Sequence, residues 1–126
     1  MLLKEIIPLY NTLVSIKDKE MPIRISYKFS KLLIAVETEY NYYMESFRKI
    51  AFKYGQRDEN GDLIFDDNGN IKIKLESIDN ANKELKELDE VEIQELPKIT
   101  FTLEELENLS FKPTDVQTMI PFIQED

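Results

Sequence analysis

Residues 56 to 70, QRDENGDLIFDDNGN, hold the densest set of oxygen donors in the chain, and oxygen donors in a glycine-containing loop raise calcium as the first candidate chemistry. An EF-hand loop places side-chain oxygens at positions 1, 3 and 5, glycine at 6 and a bidentate Glu at 12. With Gly61 at position 6, Gln56, Asp58 and Asn60 fall on the ligand positions and Asp67 falls on position 12. The Asp wanted at position 1 and the Glu wanted at position 12 are both missing, and pivoting on Gly69 puts Ile64 at position 1. Turn chemistry accounts better for these Asp, Asn and Gly residues, so no metal ligand set is assigned. Other carboxylates are dispersed. Glu37 and Glu39 lie two apart on a helix and point apart, while Glu104, Glu105 and Glu107 crowd a helix start, where acidic residues suit the dipole. There is no cysteine and no histidine, which removes thiol nucleophiles, disulfides, imidazole bases and zinc sites built on N or S ligands. Without a nucleophile motif or a phosphate-cradling glycine loop, no catalytic residue and no cofactor is expected, and the chain is read as non-enzymatic.

Charge is the next feature that bears on function. The 126 residues carry 16 Lys plus Arg and 25 Asp plus Glu, a net of 16 − 25 = −9. The two sides of Gly55 differ: residues 1 to 55 hold 9 basic and 6 acidic residues, net +3, and residues 56 to 126 hold 7 and 19, net −12. Such halves are expected to pair with each other in part. Arg24, Lys28 and Lys31, at i, i+4 and i+7, form a basic strip near Lys17 and Lys19. That strip could contact phosphate, but the net acidity opposes direct nucleic-acid binding, so pairing or a protein partner is preferred. The surplus acids most available to a partner are Asp58, Glu59, Asp62, Asp66 and Asp67 around residues 56 to 75, and the strip Glu84, Glu87 and Glu90.

The elements that must carry these residues follow from hydrophobic spacing. Phe29, Leu33, Val36, Tyr40, Tyr43, Phe47, Ile50 and Tyr54 alternate steps of four and three, which predicts a long helix within 25–55, from about Ser26 as N-cap to Tyr54, with Gly55 as a left-handed C-cap. Upstream, Leu3, Ile6, Ile7, Tyr10, Leu13, Val14 and Ile16 predict a helix within 1–19. Pro8 costs one bond if that helix opens near Lys4 and is a favoured N1 residue if it opens near Ile7. Asp62 to Phe65 and Ile71 to Lys74, joined through Asp66 to Asn70, predict a β-hairpin within 56–75. Ile78, Ala81, Leu85 and Leu88 predict an amphipathic helix within 76–90 that runs back along the long one. In 91–126, Val91 to Ile93 and Ile99 to Phe101 are expected to be short extended segments. Thr102 with Glu105 predicts a capping box, and a last short helix near Thr114 should break before Pro121. No internal repeat is expected. The fold class is therefore mainly α: one domain, 1–126, an antiparallel helical bundle around the long helix with a small β-hairpin insertion. Leu33, Phe47 and Leu85 are expected in its core.

The stretches ISYKFSKLLIAVETEY, FRKIAFKYGQRDENGD, ANKELKELDEVEI and LENLSFKPTDVQTMIPFI resemble, in that order, a group of small phage-encoded acidic proteins of no known activity. The resemblance implies a phage origin and transfers no functional residues. No stretch is apolar enough for a membrane span and the start has no secretory character, so no membrane partner and a soluble life in the host cytoplasm are expected. The expected function is a protein-protein interaction module that modulates or inhibits a host protein, such as a nucleic-acid-binding defence enzyme, through its acidic surface. A virion or assembly component is the alternative, and a carboxylate-metal enzyme the third.

Overall fold

The structure, a computed structural model, describes residues 1–94 and 96–124. It is mainly helical, and it divides into two compact units: Met1, Glu5–Tyr40 and Ile93–Asp126 form the first, Leu2–Lys4 and Asn41–Glu92 the second. Among the described residues no helix is long and apolar enough to cross a membrane.

In the first unit, a 3₁₀ turn at Leu3–Glu5 leads into helix α1, Ile6–Ile16. Pro8 is its third residue, between the two positions considered from sequence. First-turn N–H groups have no partner within a helix, so its missing N–H costs α1 nothing. Ile6, Leu9, Leu13 and Ile16 are buried at steps of three and four. Helix α2, Ile23–Tyr54, starts three residues before Ser26. The Pro22 carbonyl accepts from the N–H groups of Ile25 and Ser26, both at 3.0 Å, so Ser26 lies inside the first turn and is not the N-cap. Phe29, Leu32 and Val36 are buried, while Leu33 is only half-buried. At about 100° per residue Leu32 and Leu33 flank the line from Phe29 to Val36 equally, so periodicity alone does not choose between them.

The rest of this unit closes over that face. Strand β1, Phe101–Thr102, pairs in parallel with β2, Ile123–Gln124. Parallel neighbours need a crossover, which α4, Leu103–Leu106, and α5, Pro113–Met119, provide before a 3₁₀ turn at Ile120–Phe122. Phe101 is fully buried and stacks on Phe29 with ring centroids 4.3 Å apart. The capping box forms as the sequence requires: the Thr102 hydroxyl accepts from the Glu105 N–H at 3.1 Å, and the Glu105 carboxylate accepts from the Thr102 N–H at 2.9 Å. Helix α1 packs on α5. There the buried Thr12 hydroxyl donates to Asp115 at 3.1 Å and lies 2.9 Å from the Thr118 hydroxyl, so this polar group keeps its partners.

The second unit is built on residues 41–54 of α2 and on α3, Ile78–Asp89, which follows a 3₁₀ turn at Leu75–Ser77. The Tyr43 hydroxyl donates to Asp89 at 2.7 Å and Lys53 reaches Glu84 at 3.1 Å. Tyr43, Ala81 and Leu88 are buried; Leu85 is half-buried and Phe47 is 41% exposed, which removes Phe47 from the expected core. Glu92 bridges Leu2 in antiparallel fashion, so the extended segment expected at Val91 to Ile93 pairs with the start of the chain.

Candidate functional site

Between α2 and α3, Phe65 and Ile71 form an antiparallel bridge, one side of a three-sided figure whose other bridges are Arg57↔Leu63 and Gly55↔Ile73. Its bonds repeat every eight residues. The N–H of Gln56 donates to the Lys72 carbonyl at 2.7 Å, that of Ile64 to Gln56 at 3.0 Å, and that of Lys72 to Ile64 at 2.9 Å, a closed ring. Around it, Asp58 N–H bonds the Asp62 carbonyl, Asp66 the Asn70 carbonyl and Lys74 the Tyr54 carbonyl. Gly61, Gly69 and Ser77 then bond back to the carbonyls of Asp58, Asp66 and Lys74. The result is a junction with pseudo-three-fold symmetry: two arms are tight turns, and the third opens into α2 and α3.

The divergence has a local cause. Gly61 and Gly69 take φ of +83° and +80°, which lets each chain reverse after its turn. Ser77, at the equivalent place, has φ −106°, and the chain continues into α3. The symmetry also explains Gly55, whose equivalents are Leu63 and Ile71. A Cβ on Gly55 would lie 2.8 Å from Leu63 Cδ2 and 2.8 Å from Ile71 Cγ2, because those two side chains already fill the centre. Gly55 is therefore not the left-handed C-cap expected from its place after Tyr54; its φ is not positive. An eight-residue repeat, RDENGDLI and FDDNGNIK, runs through this segment, where none was expected.

The junction determines how the candidate acids are presented. Asp58 Oδ1 accepts from the N–H groups of Asn60 and Asp62 at 2.8 and 3.0 Å, and Asp66 Oδ1 from those of Asn68 and Asn70 at 2.8 and 3.0 Å. These two carboxylates hold their own turns, and Arg57 bonds the Gly61 carbonyl at 2.8 Å. Glu59, Asp62 and Asp67 are exposed on the same turns. Glu84 does not join them: the Tyr54 hydroxyl and the Lys53 ammonium hold its carboxyl below the ordinary range, whereas Glu87 and Glu90 are exposed. Among the described residues no group of three or more acids comes together as a metal site. The basic strip is divided as well. Lys28 is bound by Glu105 and the Thr100 carbonyl, each at 2.9 Å, and Lys31 lies over the Tyr27 ring.

Beside the second turn the unit carries a concavity of ≈ 610 Å³ that sequence reasoning missed, lined by Met44, Phe47, Arg48, Ala51, Phe52 and Phe65 together with Gly69 to Ile71. Phe47, Phe52 and Phe65 are 41%, 45% and 57% exposed. Phe52 and Phe65 stand outside the helical stripe, and two aromatics without a place in the core were the available signal. No family model, curated protein or solved structure matches this chain.

Proposed function

We propose that this chain is a non-enzymatic protein-binding module, phage-encoded, that occupies a basic surface of a host protein and so modulates it; the basic groove of a nucleic-acid-binding defence enzyme is the kind of surface that fits. The helices that carry it are read as an antiparallel arrangement within each unit. The observation that supports this function is the pair of locked turns. Asp58 and Asp66 use one oxygen each to fix the backbone, so Glu59, Asp62 and Asp67 are offered from a scaffold that loses little freedom on binding, and preorganised charge favours fast, selective association.

Pull-down from host lysate with the wild type and with Glu59→Lys, Asp62→Lys and Asp67→Lys combined tests it. A captured protein that elutes as salt rises, and that the triple variant fails to capture, is the expected result. Capture unaffected by the triple variant or by salt would refute the electrostatic mode.

A further inference from the structure

The aromatic groove has a complement on the chain itself. Leu75 is 80% exposed although it opens an ordered 3₁₀ turn, and the exposed Glu76 follows it. In the groove, Arg48 is exposed and, among the described residues, forms no ion pair. A leucine side chain suits a pocket walled by Phe47, Phe52 and Phe65, and a carboxylate next to it suits a free guanidinium, whose planar fork matches that group. We propose that two copies of this chain associate about a two-fold axis, Leu75 of each entering the groove of the other with Glu76 facing Arg48. Groove and plug belong to one unit and lie close in sequence, Ile71 on the wall and Leu75 four residues on. In the isologous contact proposed, both insertions form at once and the assembly closes at two copies. Burial of the three phenylalanines and of Leu75 supplies the driving force, and the Arg48–Glu76 pairs set the register against the general repulsion of two acidic chains. The dimer does not depend on the acidic turns binding a host protein, since Glu59, Asp62 and Asp67 are not part of the groove.

Sedimentation equilibrium of the full chain over a wide concentration range tests the proposal. The expected result is a mass that rises to twice the monomer and no further. Leu75→Asp and Phe65→Asp, both at exposed positions, should weaken association by tenfold or more while the circular dichroism spectrum stays unchanged. Arg48→Glu and Glu76→Arg should each weaken it, and the double variant should restore it, an outcome that mere unfolding cannot produce. A chain that stays monomeric throughout, grows beyond two copies, associates normally as Leu75→Asp, or shows no rescue in the double variant overturns the proposal. A monomeric wild type that captures a host protein through the groove, with loss on Leu75-independent substitution of Phe65, would assign the groove to that protein instead.

Discussion

At Gly55 the junction has no room for even one carbon. Leu63 and Ile71 approach from its two symmetry-equivalent positions, and the Ala51 carbonyl lies 2.9 Å from where a Cβ would stand. Gly55→Ala is therefore expected to destabilise the chain by about 1 to 3 kcal/mol, the usual range for overpacking, measured as a lower urea midpoint at unchanged slope. Gly61 and Gly69 have open space around the missing Cβ, and what they supply is the positive φ. The glycines were legible from sequence as turn markers. Which of them needed conformational freedom and which needed volume was not, because volume depends on side chains eight and sixteen residues away.

At the scale of elements, the helices were legible because each repeats its apolar residues with a helical period, and α4 because Thr102 and Glu105 are both local to it. The buried set was less so. Leu32 is fully buried at a position equivalent, on the wheel, to half-buried Leu33, and Phe47 lies about five turns from Phe29 on the same face yet stays 41% exposed. Leu32→Ala should cost about 2 to 5 kcal/mol, and Phe47→Ala well under half as much, when the two are compared by chemical denaturation. Equal losses would restore Phe47 to the core. A short parallel pair such as β1 with β2 leaves almost no trace in sequence, since two residues are too few for a period and their partners are remote.

Across the whole molecule, charge pairs acids of the second half with cations of the first in Lys28–Glu105 at 2.9 Å and Lys53–Glu84 at 3.1 Å. Stability should therefore depend on pH at both extremes. The Thr102 N–H and the Lys28 ammonium hold the Glu105 carboxyl below its ordinary pKa. Its contribution is complete above the ordinary glutamate value and is lost as pH falls through the lowered one. Burial, reinforced by the hydrogen bond to Asp89 and that residue's charge, pushes the Tyr43 hydroxyl from 10.0 up to about 12. The neutral phenol is the folded form, so its contribution is complete below pH 10.0 and is lost as pH rises toward about 12. Urea midpoints across pH should fall at both ends, with Glu105→Gln flattening the acid limb and Tyr43→Phe the alkaline one. Unchanged limbs in these variants would locate the pH dependence elsewhere.

Sequence alone determined the helical character, the capping box at Thr102, the turn chemistry at residues 58–61 and 66–69, and the place of the acids along the chain, because these depend on neighbours within one or two helical turns. Tertiary structure decided the rest. It closed Gln56, Ile64 and Lys72 into a ring, made Gly55 a matter of space, tied Asp58 and Asp66 into their own turns and left Phe47, Phe52 and Phe65 around a groove. Each of those outcomes depends on which backbone or side chain arrives from elsewhere to meet a residue, and residue type or spacing does not encode that meeting.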